Sequence, residues 1–188
     1  MFIFTATGKR ANPYVRYIDA QGTQYTCIPM ELLEEIADPV PPVDFSDDLY
    51  YRNEQDDAPY VTWTRKPQPQ IAATFIARVK RKRDDLTLNG GCLVTGKWFH
   101  SDTHSKVQQL ALVIAGANLP QGIMWKTMDG TFIAMTPTLA SQIYAAQMAQ
   151  EQGIFAHAET LKAALLASPT PETVDIVTGW PATYVEAV

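Results

Sequence analysis

The stretch from Leu139 to Ala167, LASQIYAAQMAQEQGIFAHAETLKAALLA, has the pattern of one long helix. Thr136 precedes it as a capping residue, and Pro137 takes the first helical position, where a missing N–H costs nothing. A helix of roughly 30 residues is about 45 Å long. Gly153 interrupts its apolar stripe. The residues of that stripe, which we expect to be buried, are Leu139, Ile143, Met148, Ile154, Ala158, Leu161 and Leu165.

Two shorter helices and a hairpin are predicted ahead of this segment. In residues 70–88 the apolar positions follow a 3.6-residue period, which predicts an amphipathic helix of about 18 residues that ends at the glycines at 90 and 91. CLVTGKWF predicts a hairpin with its turn at residues 95–96. Residues 101–103 are three successive N-cap candidates for a second helix, which ends near Gly116. Its apolar positions are Val107, Leu110, Ala111 and Ile114.

A second hairpin is predicted in GIMWKTMDGTFIAMTP. Asp129 and Gly130 stand between two alternating runs, which favours a two-residue type I′ turn. The predicted pairs are Trp125 opposite Ala134, Thr127 opposite Phe132, and Met124 opposite Met135.

The first third of the chain is strand-like. FIFTAT is followed by YVRYID and QYTCIP, which read as a hairpin turning at Gly22, and PYVTWT predicts a last strand. The fold class is therefore α+β. We expect an antiparallel, β-rich N-terminal domain over residues 1–66, and then a helix-rich domain over residues 67–188 with two β-hairpins and one long C-terminal helix.

Residues 31–60 are rich in proline and in acidic residues. Residues 31–57 hold ten acids against one base, a net charge of −9, and three prolines lie at positions 39, 41 and 42. The segment is either a plain linker or a docking arm that orders on a partner. We favour the arm, because its aromatic residues gain little unless they are buried against something. They are Phe45, Tyr50 and Tyr51.

A basic run, RVKRKR, follows at residues 78–83. Clustered bases suit a polyanion such as nucleic acid or lipopolysaccharide phosphate. Asp84 and Asp85 follow at once, however, and the chain carries a net charge of −5, so a solvated face or a contact with an acidic partner is the preferred interpretation. Arg78, Arg81 and Lys82 are the candidate partner contacts, and no specific nucleic acid is expected.

Catalytic and metal motifs are weak in this sequence. HSDTH places His100 and His104 on either side of a predicted helix start, whereas zinc needs both on one helical face. We find no GxSxG elbow and no phosphate-binding glycine loop, and Cys27 and Cys92 stand alone. No apolar run reaches the roughly 20 residues of a membrane span. We therefore expect no enzyme, no metal, no cofactor and no membrane span.

The HSDTH corner belongs to a longer signature. CLVTGKWFHSDTHSKVQQLALVIAGANLPQGIMWKTMDGTFIAMTP resembles a C-terminal domain of unknown function in tailed bacteriophages, which is common in small proteins encoded near tail fibres. The matching parts are the GxWFHSD corner, the glutamines at 108 and 109, the WKTMDGTF hairpin and the GWP at 179–181. EQDDAPYV, residues 54–61, also looks like sequence found ahead of that domain. The resemblance covers roughly residues 54–182.

The resemblance implies a place in the virion tail, with synthesis in the host cytoplasm. It implies a non-enzymatic adaptor or decoration that links a tail fibre or spike to the tail. Its partners would be other tail proteins, such as fibre, spike, tube or nozzle, and it would be present in multiple copies in a symmetric assembly. Two alternatives stay open at this point: a tail-fibre assembly chaperone that is absent from the mature virion, and a metal-dependent hydrolase of host surface glycans.

Overall fold

The computed structural model describes residues 1–186. Its contacts separate Met1–Pro67 from the chain that begins at Gln68. The expected α+β class is confirmed: small antiparallel sheets come first, and three helices with two hairpins follow.

The first unit contains a three-stranded antiparallel sheet and two hairpins. Its strands are β1 (Phe2–Phe4), β2 (Arg10–Ala11), β3 (Tyr17–Ile18), β4 (Gln24–Tyr25), β5 (Leu33–Glu35), β6 (Tyr50–Glu54) and β7 (Val61–Arg65). β1 is central, with Phe2 opposite Ala11 on β2 and Glu35 on β5. β3 and β4 pair around Gly22, whose φ of 84° supports the predicted turn. A small core forms where Ala11, Ile28 and Leu33 meet.

Part of the presumed acidic arm is ordered within this unit. Residues 50–54 form β6, which pairs with β7 in a five-residue register, so the expectation of an arm without structure of its own is wrong for them. The aromatic residues stabilise the hairpin locally. The Phe45 ring lies edge-on to Trp63 at 6.1 Å, and the Tyr50 hydroxyl donates to Asp44 at 2.7 Å.

The second unit is built around three helices. Its elements are α1 (Gln68–Asn89), β8 (Cys92–Val94), β9 (Lys97–Phe99), α2 (Thr103–Ala115), β10 (Met124–Lys126), β11 (Phe132–Ala134) and α3 (Pro137–Ala167). Thr136 caps α3, because its side chain accepts from the Leu139 N–H at 3.1 Å. α1 packs against α3 on one flank and α2 packs against it on another. The other two helices of this unit therefore both pack against α3.

α3 buries its expected stripe with one exception. Met148 is exposed, and the neighbouring Gln147 is buried in its place. Gln147 is needed inside because its amide nitrogen donates to the backbone oxygen of His100 at 3.0 Å. Around α3 lie two apolar cores. Phe99, Met135, Ala140 and Ile143 belong to the first, with the hairpins and α2; Val79, Ala158, Leu161 and Leu165 form the second, with α1.

The second hairpin is correct in place but wrong in register. The observed pairs are Met124 with Ala134, Trp125 with Ile133, and Lys126 with Phe132. The loop is one residue longer than predicted, because a type I′ turn needs positive φ at two successive residues and only Gly130, at 83°, has it here. The Asp129 carboxylate holds this wider loop, since it accepts from the Thr131 N–H at 3.0 Å and pairs with Lys97 at 2.7 Å.

Residues 168–186, here called the C-terminal strap, run back along α3. It contains a single 3₁₀ turn at Pro171–Thr173. Beyond it, Trp180 packs on the second core, and the Gln150 amide donates to the Ala182 oxygen at 2.7 Å. The Tyr184 N–H finally reaches the Gly90 oxygen at 2.9 Å, at the end of α1.

Candidate functional site: a helix junction and its exposed faces

His100 places one carbonyl oxygen between two helices. It lies directly after β9, and its oxygen accepts from the side-chain amides of Gln109 on α2 and Gln147 on α3, both at 3.0 Å. Gln109 and Gln147 are buried. A buried amide must be hydrogen-bonded to avoid a desolvation penalty, so these two bonds set the position of α2 against α3.

Ser101 ties the same corner to α1. Its hydroxyl is buried, donates to the Leu88 oxygen at 3.1 Å and accepts from the Gly91 N–H at 2.9 Å. The last carbonyls of a helix have no partner within the helix. Ser101 therefore supplies one from outside and fixes the end of α1.

Asp102 begins α2. Its carboxylate accepts from the Ser105 N–H at 3.0 Å and from the Ser105 hydroxyl at 2.6 Å, which confirms the predicted helix cap. The Ser105 hydroxyl, followed by the Ser105 N–H, lowers the pKa of Asp102. His104 is exposed in the first turn of α2, so the helix start does separate the two histidines.

Two other side chains of reactive types, Cys92 and His157, are packed against neighbouring residues. The Cys92 thiol is buried and lies 3.9 Å from the Ile143 oxygen, and burial raises the pKa of this thiol to about 11. The His157 ring lies edge-on to Trp180 at 4.8 Å, with Nε2 3.1 Å from the Thr178 oxygen. Within residues 1–186, three or more His, Cys, Asp or Glu side chains nowhere gather as metal ligands would.

The predicted aromatic contacts differ in their exposure. Phe45 is half-buried, with its ring 6.2 Å from that of Tyr50 and 6.1 Å from that of Trp63. Tyr50 is half-buried as well, and Tyr51 is exposed, with the Lys66 ammonium 5.2 Å from its ring centre. Phe45 and Tyr50 therefore contribute to the fold of their own unit, and Tyr51 is the one presented to solvent.

The predicted basic contacts lie on α1. Arg81 and Lys82 are exposed, whereas Arg78 is half-buried with its guanidinium 4.8 Å from the centre of the Phe75 ring. Arg83 from the same run lies 4.9 Å from the Phe155 ring of α3 and pairs with Asp84 at 2.6 Å. The run thus divides into residues that pack on the unit and residues that face solvent.

One surface was missed by the sequence reasoning. Val107, Leu110 and Ile114, expected as the buried side of α2, are exposed, and the inner side carries Gln109, Leu112 and Val113. The last six residues of α2, LALVIA, are all apolar, so periodicity does not separate its two faces there. The paired glutamines at 108 and 109 were the available signal, because one of them is the buried donor.

Comparison with protein-family models gives a match over part of the chain. A family model described as "Domain of unknown function (DUF4376)" matches residues 70–178. This range contains the junction, both hairpins and all of α2 and α3. Neither the curated proteins nor the solved structures contain a match. Among residues 1–186, every helix is too short or too polar to cross a bilayer.

Proposed function

We propose that this chain, which belongs to the family of the domain of unknown function DUF4376, is a non-enzymatic component of a bacteriophage tail. Its role is that of an adaptor or decoration that links a tail fibre or spike to the tail. The observation that carries the proposal is the resemblance of residues 92–137 to domains of tail-associated phage proteins. Multiple copies would take part in a symmetric assembly.

The chemistry of the signature supports a binding role. His100, Ser101 and Asp102 use their oxygens to join three helices, and the Gln109 amide nitrogen donates in the same network. Groups whose hydrogen bonds hold a shape suit a module that presents surfaces to partners. A rigid junction of this kind keeps the exposed faces of α1 and α2 in a constant relation.

The charge pattern supports a partner with complementary patches. Residues 31–57 carry a net charge of −9 around the exposed Tyr51, which fits a surface with bases and an apolar slot. Arg81 and Lys82 on α1, with the half-buried Arg78, fit an acidic patch. Contacts between exposed charges are screened by salt, so assembly onto the tail should weaken as the ionic strength rises.

Mass spectrometry of purified particles tests the role. We expect the protein at a stoichiometry that is constant from one preparation to the next. Its absence from particles, combined with copurification of an immature fibre from infected cells, would favour the alternative role of an assembly chaperone. An abundant copurifying protein that belongs to no tail structure would overturn both roles.

A tyrosine pair tests the contact surface. Tyr51→Ser should reduce incorporation into particles, because an exposed aromatic side chain contributes binding energy only when a partner covers it. Tyr14→Ser is the matched control, since Tyr14 is an exposed tyrosine of the same unit outside the acidic segment. Equal incorporation of both variants into particles would show that Tyr51 does not belong to the contact surface.

A further inference from the structure

α2 and α3 present an apolar surface that the rest of their unit leaves open. Val107 is 63% exposed, Ile114 is 76% exposed and Met148 is 55% exposed. We define the α2–α3 face by these three residues together with Leu110 and Tyr144, which are also exposed. Such residues scattered singly would be ordinary, but exposed apolar residues that adjoin one another in a patch mark an interaction site.

The two helices place these residues side by side. Lys106, near the start of α2, pairs with Glu151 of α3 at 2.5 Å. At the other end of α2, Leu112 and Val113 pack in the core that contains Leu139 and Ile143. The helices therefore run antiparallel. Leu110 and Ile114 follow Lys106 at successive turns, while Met148 and Tyr144 precede Glu151 at successive turns, so they line one surface.

This surface carries almost no charge. Lys106 is the only charged residue of α2, and Glu151 is the only Asp, Glu, Lys or Arg in residues 137–158 of α3. The two neutralise each other at the edge of the face. The acids of the chain are concentrated elsewhere, in residues 31–57.

We infer that the α2–α3 face binds a second copy of this chain, to form a two-fold symmetric dimer. The two antiparallel helix pairs pack face to face, so that each copy covers the Val107, Ile114 and Met148 of the other. The inference concerns the protein in solution, and it stands whether or not the protein belongs to a phage tail.

Charge decides between a second copy and a foreign partner. Two copies of a chain with a net charge of −5 repel one another over most of their surface. The electrostatic repulsion is weakest where an uncharged face of one copy meets the same face of the other. A neutral face also offers no electrostatic pattern by which to select an unrelated protein. In a two-fold contact both apolar patches leave water together, because the same surface serves both partners.

Sedimentation and light scattering of the purified full-length chain test the dimer. We expect the mass to rise from 20.9 kDa for the monomer to twice that value as the concentration approaches about 100 µM. Because the contact is apolar, raising the salt to about 0.5 M should leave the dimer intact, whereas it would weaken a contact made by the acidic segment. Met148→Glu should raise the dimer dissociation constant at least tenfold, since it places a charge in the contact.

Leu166→Glu is the matched control. Leu166 is 58% exposed on the same helix but lies about 27 Å further along it, beyond the reach of α2. The control should dimerise like the wild type, and both variants should keep the wild-type circular dichroism. A wild-type chain that stays monomeric to about 100 µM would overturn the inference and leave the face to a different protein. A dimer weakened equally by both substitutions would overturn it as well.

Discussion

At the scale of single residues, the corner at residues 100–102 uses the oxygen atoms of a conspicuous motif to hold the fold together. His100 contributes its backbone oxygen and not its ring, Ser101 contributes a hydroxyl that is both donor and acceptor, and Asp102 contributes a carboxylate. Each satisfies backbone or amide groups that would otherwise be buried without partners. Substitutions here should therefore lower the free energy of unfolding.

Asp102→Ala removes the cap of α2 and should lower the free energy of unfolding by about 1 kcal/mol at neutral pH. The measurement is urea denaturation of the full-length protein. Because the pKa of Asp102 is lowered in the folded state, its contribution is present above the unfolded pKa near 3.9 and is lost as the pH falls through the folded value. The difference between wild type and variant should shrink accordingly in acid.

Asp102→Asn is the control, because asparagine caps helices about as well as aspartate. It should lie within a few tenths of a kcal/mol of the wild type at neutral pH. If Asp102→Ala is as stable as the wild type, Thr103 has taken over as the cap, since the Ser101 hydroxyl is already committed to Leu88 and Gly91.

Gly91→Ala should be much more damaging than Gly96→Ala. Both glycines have left-handed backbone, with φ of 72° and 78°, so each alanine costs about 1 to 2 kcal/mol in conformation. A Cβ on Gly91 would also overlap the Met128 sulfur and lie 3.0 Å from the Phe99 oxygen, whereas a Cβ on Gly96 meets open space. We expect a further loss of about 1 to 3 kcal/mol for Gly91→Ala. Equal denaturation midpoints would contradict this close packing.

At the scale of elements, the C-terminal strap completes a core that the helices leave open. Val174, Ile176 and Trp180 pack on Val79, Leu161 and Leu165, which join α1 to the last turns of α3. Where the strap crosses α3, a Cβ on Gly153 would lie 3.3 Å from Pro181, and a Cβ on Gly179 would lie 2.8 Å from the His157 ring. The glycine that interrupts the apolar stripe of α3 thus marks the path of the strap.

Shortening the chain at two positions should distinguish the contributions that the two parts of the strap make to stability. A chain that ends at residue 173 loses Trp180 and its neighbours, and it should be destabilised by about 3 kcal/mol or more, as for the removal of a large aromatic side chain from a core. A chain that ends at residue 182 keeps Trp180 and loses the bond from Tyr184 to Gly90 and the ring contact of Tyr184 with Trp98, for about 1 to 2 kcal/mol. Thermal unfolding of both measures the difference, and equal losses would place the energy beyond residue 182.

At the scale of the whole molecule, the two units differ in their means of stabilisation. The second unit has two apolar cores arranged along one long helix. The first has one small cluster of buried residues, Ala11, Ile28 and Leu33, and short strands. Since the free energy of folding grows with buried apolar area, most of the stability should reside in the second unit.

Residues 68–188 alone should therefore fold and unfold in one cooperative transition. Near-ultraviolet circular dichroism reports the packing of Trp98, Trp125 and Trp180, so the isolated unit should keep that signal and lose it at a single midpoint. A chain with helical circular dichroism and no tertiary signal would show that the first 67 residues complete the cores.

Local chemistry was enough to specify many elements from the sequence. Thr136 and Asp102 begin their helices where capping residues are expected, and Thr95 with Gly96 makes the predicted two-residue turn. These features depend on a residue and its near neighbours in the chain, because caps and turns satisfy backbone groups that lie within a few residues. The three helices, both hairpins and the helix start inside HSDTH followed from such signals.

The tertiary structure alone decided the exceptions to these patterns: which side of α2 is buried, which residue replaces Met148 in the interior, and the register of the second hairpin. Gln147 lies inside and Met148 outside because the His100 oxygen, 47 residues earlier in the chain, accepts a hydrogen bond from the Gln147 amide. Likewise, β6 forms in an acidic segment because β7 and Trp63 supply its partner, and the contacts of Asp129 set the register of the second hairpin. Burial and pairing at these positions depend on residues distant in sequence, so periodicity and composition did not predict them.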